Sequence, residues 1–223
     1  MNQKNTAIHQ RNTVLFDFDG TVFDTVEGIT KCVQYAIRKH GWDAELNDLR
    51  CFAGPPLSEK FMEVYGVTED EALQLVREYR ERYVPIGVYE SSPFEGIREL
   101  LETLKAAGKT VGIATSKPQA LAELLLEQSR LKDYFDVIVG SDPHLNNDKK
   151  WQIITRAMEH CAADTDSAVL IGDTKYDVLG AARCGIPCVG VRWGYAAEGE
   201  LEEAGAVAMV ESMEELAALL CRE

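Results

Sequence analysis

The chain has 223 residues, 46% hydrophobic and 27% charged, enough apolar material for one well-buried domain carrying a smaller insertion and too much for a disordered or collagen-like chain. Asp and Glu number 37 against 23 Lys and Arg, a formal net charge of −14, so broad contact with a phosphate backbone would be repulsive and no nucleic-acid polymer is expected as a partner. No apolar run reaches the roughly 18 to 20 residues of a membrane span, and residues 1–12 form a polar N-terminal extension, which predicts a cytoplasmic protein with no membrane partner.

In chain order, a β-branched apolar run at 13–18 reads as a strand buried on both faces. Residues 25–92 contain no convincing strand. They offer helical spacing at 27–40, 58–65 and 69–83, punctuated by Gly41, Gly66 and Pro85, with Thr68 and Glu71 spaced as a capping box. Alternation then resumes: helix 94–107 stopped by Gly108, strand 110–115, helix 118–129, strand 137–141, helix 150–161, strand 168–173, helix 177–184 stopped by Gly185, and strand 187–193. Residues 207–210 read as one more strand, and Ser212 with Glu215 starts a last helix.

This order predicts an α/β fold, a parallel-sheet Rossmann-like core formed by 13–24 and 93–223, with 25–92 as a small inserted α-helical cap. The insertion follows the carboxyl end of a strand, the edge where open α/β sheets bind ligands, so it is expected to act as a lid. The six cysteines occur without a CxxC pair and are expected as reduced, largely buried thiols.

At the end of the first strand stands Asp17-Phe18-Asp19-Gly20-Thr21, followed by Asp24. Carboxylates this close repel one another and lose solvation, so their presence asks for a compensating cation. A second pair, Asp173 and Asp177, follows the strand at 168–173, although Asp177 is equally placed to cap the next helix. Together the pairs make an oxygen-rich edge suited to Mg²⁺. Thr115-Ser116-Lys117 ends another strand and Lys149-Lys150 precedes a helix; hydroxyls, backbone N–H groups and a lysine at strand ends can hold a transferring phosphoryl group.

Asp17-Phe-Asp-Gly-Thr, Thr115-Ser-Lys-Pro, a following Lys and Gly172-Asp-x3-Asp177 together resemble the four ordered motifs of the haloacid dehalogenase-like (HAD) hydrolase superfamily. The helical insertion, with Gly54-Pro55-Pro56-Leu57 and the Gly180-Ala-Ala-Arg-Cys-Gly-Ile-Pro segment, resembles the phosphoglycolate phosphatase-like branch. The resemblance implies a phosphoric monoester hydrolase with Asp17 as nucleophile and Asp19 as general acid and base. It further implies Mg²⁺ held by Asp17, the Asp19 backbone carbonyl and Asp173, with Asp177 either ligating directly or orienting a bound water, and phosphate contacts from Thr115, Ser116 and a lysine. Placing Ile154, Ala157 and Met158 on the buried face of their helix favours Lys150 as that lysine, with Lys149 the alternative.

The expected reaction is hydrolysis of a small phosphorylated metabolite, phosphoglycolate-like or a nucleoside monophosphate, through an aspartyl-phosphate. The alternative is a phosphomutase of the same fold, β-phosphoglucomutase-like. Phosphonate cleavage would need a Schiff-base lysine, for which Lys31 and Lys60 are the candidates. Arg50, Tyr89, Lys117 and Arg192 are polar candidates for selectivity. Trp193 and Tyr195 read equally as loop anchors or substrate contacts, and His9, His40, His144 and His160 have no metal-ligand spacing.

Overall fold

The apolar runs become the strands of one parallel sheet. In the computed structural model, which describes residues 7–141 and 148–221, the chain forms β1 (Thr13–Phe16), β2 (Phe23–Asp24), α1 (Val26–Arg38), α2 (Leu57–Tyr65), α3 (Glu69–Tyr83), β3 (Ser92–Pro93), α4 (Ile97–Ala106) and β4 (Thr110–Pro118). It continues through α5 (Gln119–Gln128), β5 (Val137–Ser141), α6 (Lys150–His160), β6 (Ala168–Gly172), α7 (Lys175–Cys184), β7 (Cys188–Val191), α8 (Glu200–Ala204), β8 (Ala208–Val210) and α9 (Met213–Leu220). Six strands pair in the order β5-β4-β1-β6-β7-β8, every pair parallel.

Contacts divide the chain into two compact units, one running through Val22 and resuming at Pro93, the other Phe23–Ser92. In the first, β1 lies at the centre of the sheet, and Val14, Leu15 and Phe16 are all buried. Strand alternation sends Leu15 to one face, where it joins Val139, Leu170, Ile153, Ile154, Ala157 and Val178 in a single core under α6 and α7. The crossover order reverses at β1, with β4 on one side and β6 on the other. In an open α/β sheet that reversal opens a crevice at the carboxyl ends of the strands.

The second unit is built from α1, α2 and α3. Ile29, Val33, Ala36 and Ile37 of α1 and Leu75, Val76 and Tyr79 of α3 are buried, as are Phe52 and Phe61, whose rings lie 4.8 Å apart. Thr68 caps α3: its N–H donates to Glu71 Oε2 (2.8 Å) and its hydroxyl accepts from the Glu71 N–H (3.4 Å). Arg82 pairs with Glu90 at 2.7 Å, and Lys31 reaches the same carboxylate at 3.1 Å. The sequence reading finds no strand between 25 and 92, whereas Ser92 opens β3, which pairs with β2 in a two-residue ribbon. Two residues are too few to show a period.

All six cysteines are free, as expected, but only Cys32 and Cys188 are buried; Cys161, Cys184 and Cys221 are half-buried and Cys51 is exposed, so most of the thiols are not the buried ones that their apolar sequence surroundings suggest. No helix among the described residues is long and apolar enough to cross a membrane.

Candidate active site

Register carries the predicted residues to one edge. Phe16 is level with Ile113 of β4 and Ile171 of β6, so the residues that follow these strands emerge side by side. The Asp17 N–H donates to the Ile171 carbonyl at 2.9 Å, extending the ladder by one residue and fixing the buried Asp17. The Thr21 and Val22 N–H groups both donate to the Phe18 carbonyl (3.3 and 2.9 Å), closing a turn in which Gly20 has φ +82°.

Asp173 follows β6 and is fully buried. Its Oδ1 accepts from the Thr21 hydroxyl (3.3 Å) and its Oδ2 from the Tyr195 N–H (2.9 Å). Asp177 does both things its position allows. Its Oδ2 accepts from the Thr174 N–H (3.0 Å) and hydroxyl (2.9 Å), capping α7, while Oδ1 turns to Lys150. Lys150 is the first residue of α6, and its Nζ lies 2.7 Å from Asp17 Oδ1 and 2.7 Å from Asp177 Oδ1. The approach to α6 is held by Asp148, whose carboxylate pairs with Arg156. Lys149 is exposed. Residues 143–147, including His144, lie outside the described residues.

One carboxylate oxygen from each of Asp17, Asp173 and Asp177 fits within a 4.8 Å cluster. Burial raises Asp17 to about 6, against the opposing pull of Lys150 and with the help of Asp177's like charge. Burial, then Asp177 and Asp17, pushes Asp173 well above the usual carboxylate range. Burial alone would lower Lys150, yet the charges of Asp17 and Asp177 outweigh it and hold the ammonium above its ordinary range. Three buried carboxylates therefore face one lysine. Oδ1 of Asp17 and Oδ1 of Asp177 share the single Lys150 ammonium, 2.7 Å from each. Such a set of hard oxygens, short of positive charge, fits a divalent cation such as Mg²⁺.

The carboxylates are also confined by absent side chains. A Cβ on Gly194 would lie 2.2 Å from the Asp173 Cβ, one on Gly20 2.1 Å from Asp173 Oδ2, and one on Gly172 2.4 Å from the Asp177 Cβ. The sequence reading passes over Gly194 and the Tyr195 amide, because both act on Asp173 across a sheet rather than along the chain.

On the β4 side, pairing with β5 shifts register between Ala114 and Pro118, the stretch that holds residues 115–117. Thr115 is buried and its Oγ1 accepts from the Lys117 N–H (3.2 Å). Ser116 is exposed and makes no hydrogen bond to the carboxylates among the described residues. Lys117 is buried, with Nζ 2.9 Å from Asp19 Oδ1. Read from sequence as a candidate for selectivity, it belongs to the same edge as Asp17 and Asp19. Of the remaining candidates, the Trp193 indole donates to the Thr21 carbonyl (3.2 Å), Arg192 pairs with Glu202, and Arg50 and Tyr89 are exposed residues of the helical unit. Asp24 accepts from the Val26 N–H (3.2 Å) at the start of α1. His40 contacts Glu78 at 2.7 Å and no histidine joins the cluster among the described residues.

Residues 14–191 match the haloacid dehalogenase-like hydrolase family, a span covering most of the chain. The chain belongs to that family. Among its relatives, a 5'-nucleotidase of Pseudomonas aeruginosa is 40% identical over 189 residues, 84% of this chain and 86% of the relative. A probable phosphatase of Dickeya dadantii, IndB, is 33% identical over 210 residues, 91% of this chain and 90% of the relative. A predicted phosphatase from Clostridium acetobutylicum superposes with a TM-score of 0.89 at 40% identity, over 93% of this chain and 96% of that one.

Proposed function

We propose that the protein is a Mg²⁺-dependent phosphatase that hydrolyses a small phosphomonoester, a nucleoside 5'-monophosphate foremost, through an aspartyl-phosphate on Asp17. The observation that carries the reading is a buried Asp17 at the tip of the central strand, clustered with Asp173 and Asp177 and held beside Lys150. The phosphatase class is supported by the family and by relatives named 5'-nucleotidase and probable phosphatase. The nucleotide preference leans on the first of those names.

In this reading, the carboxylates of Asp17, Asp173 and Asp177 would hold the Mg²⁺, with the Asp19 backbone carbonyl as a further oxygen ligand. Bound there, the cation supplies positive charge to the phosphoryl oxygens and lets three buried carboxylates ionise together. Asp17 attacks phosphorus as the bond to the leaving oxygen breaks, dividing one hard displacement into two easier ones. Lys150 binds a phosphoryl oxygen and, as phosphate arrives, shares its charge between substrate and carboxylates. The Thr115 hydroxyl retains its own proton to donate, and the Ser116 backbone adds an N–H. Asp19 gives a proton to the leaving oxygen and then takes one from the water that cleaves the aspartyl-phosphate.

Phosphonate chemistry is disfavoured in the helical unit. Lys31 is held above its ordinary range by hydrogen bonds from its ammonium to Glu27 and Glu90, and Lys60 pairs with Glu63 at 2.7 Å, whereas a Schiff base starts from a neutral amine. The helical unit, inserted directly after the Asp17–Asp24 loop, is the proposed source of substrate selection, and six free thiols fit a reducing compartment.

The test is phosphate release from a panel of nucleoside monophosphates, phosphoglycolate and sugar phosphates, in Mg²⁺ and in chelator, with Asp17→Asn as the blank. Release that requires Mg²⁺ and is lost in Asp17→Asn is the expected result. Release that survives the substitution removes Asp17 as nucleophile, and absence of phosphate release together with phosphoryl transfer that depends on a phosphosugar activator reassigns the chain to the mutases.

A further inference from the structure

Four acidic side chains crowd this edge, and the structure sorts them into two groups. Lys150 serves Asp17 and Asp177, which cluster with Asp173. Asp19, only two residues from Asp17, is not in that cluster; its Oδ1 is taken by Lys117 Nζ at 2.9 Å. The lysine is itself a built feature of the site. Its side chain is 2% exposed against 20% for Asp19, its ammonium lies 5.5 Å from the centre of the Phe18 ring, and its backbone N–H is fixed by Thr115 Oγ1. Residue 117 lies inward between an exposed Ser116 and a half-buried Pro118, in the stretch where pairing with β5 shifts register.

We infer that Lys117 is a positioning residue that holds the Asp19 carboxylate away from the cation-binding carboxylates and aims its free oxygen at the leaving group and at the attacking water. The inference rests on the phosphatase reading above and adds a residue to it. Without a partner for Oδ1, the Asp19 side chain is free to swing among its rotamers, including those that join the neighbouring hard-oxygen cluster, and a misaimed carboxylate transfers protons slowly. A buried cation is costly unless paired, so the ion pair also fixes Lys117 to this one place.

The two halves of the reaction separate this role from others. Transfer of phosphoryl from 4-nitrophenyl phosphate to Asp17 expels a stable phenolate and needs no proton from Asp19, whereas hydrolysis of the aspartyl-phosphate needs Asp19 to take one from water. In rapid-mixing experiments with Mg²⁺, Lys117→Met is expected to release a stoichiometric burst of nitrophenolate at a rate within about threefold of wild type, then turn over about 10- to 100-fold more slowly. Acid-quenched Lys117→Met should hold phosphate covalently during that slow phase. Lys117→Arg, which keeps a cation in the slot, should recover most of the turnover, and in an Asp19→Asn background the loss of Lys117 should add less than about twofold. Lys117→Gln, smaller and still polar, gives the same readout if the Met variant does not fold.

Burst and steady state falling together would make Lys117 a phosphate-binding or merely structural residue, and no change in either would remove it from the mechanism. Both results overturn the inference and leave the phosphatase intact. Turnover that persists in Asp17→Asn, or a wild-type protein that never becomes phosphorylated, breaks the underlying reading and the inference with it.

Discussion

Lys150 and Lys149 are adjacent in sequence and opposite in circumstance. Lys150 Nζ sits 2.7 Å from two buried carboxylates, while the Lys149 side chain is exposed. Removing a preorganised cation from a developing phosphoryl charge typically costs about 10²- to 10³-fold, so Lys150→Ala should lose that much kcat and Lys149→Ala less than about threefold. The reverse order of losses would move the phosphate-binding role to Lys149. Gly194 poses the complementary case, a site residue with no side chain. The Cβ of Gly194→Ala would meet the Asp173 Cβ at 2.2 Å, too close for either atom to stay. Asp173 is already fixed by the Tyr195 amide, so the displaced carboxylate should weaken Mg²⁺ binding by about 10-fold or more, measured by calorimetric titration of the purified variant.

At the scale of elements, the strands and their tips were legible in the sequence because their signals are local. The strand 137–141 appears with those bounds, and the β1 and β6 runs lose only their final residues, which become the loops carrying Asp17 and Asp173. Thr68 with Glu71 marks the start of α3 for the same reason. What could not be read depends on contacts between distant segments: Lys117 meets Asp19 in a stretch of β4 whose register shifts against β5, and the Gly194 approach is set by the loop after β7. The helical unit offers a test of its own packing. Phe61 is fully buried against Phe52, so Phe61→Ala should cost about 3–5 kcal/mol. Because that core is a compact unit in its own right, hydrogen exchange should quicken first in α1 to α3, with β1 and β6 slower to respond. Uniform loss of protection across the sheet would show that the two units unfold as one.

Over the whole molecule, the net charge of −14 includes a site that gathers three buried carboxylates around one lysine, so the site is stable in proportion to how its charge is compensated. Asp17 is raised to about 6 in the folded chain, above its value of about 3.9 when unfolded. The native state therefore holds the extra proton, and the stabilisation is complete below the unfolded value and is lost as pH rises through about 6. Asp173, pushed up by burial and by its neighbours, acts in the same sense. Carboxylates lowered by hydrogen bonds, such as Asp164 and Asp43, act in the opposite sense, but equally with and without metal. The difference in Tm between Mg²⁺-loaded and chelated protein isolates the site. That difference should be small near pH 5 and grow steadily to pH 7.5, because Mg²⁺ binds the ionised carboxylates that the bare site resists. In chelator at pH 7.5, Asp17→Asn should melt above wild type, since it removes one of the three mutually repelling charges while leaving Lys150 paired with Asp177. A Mg²⁺ increment that is flat with pH, or an Asp17→Asn protein less stable than wild type in chelator, would mean that the carboxylate cluster is balanced by the protein itself and does not depend on a cation for its charge.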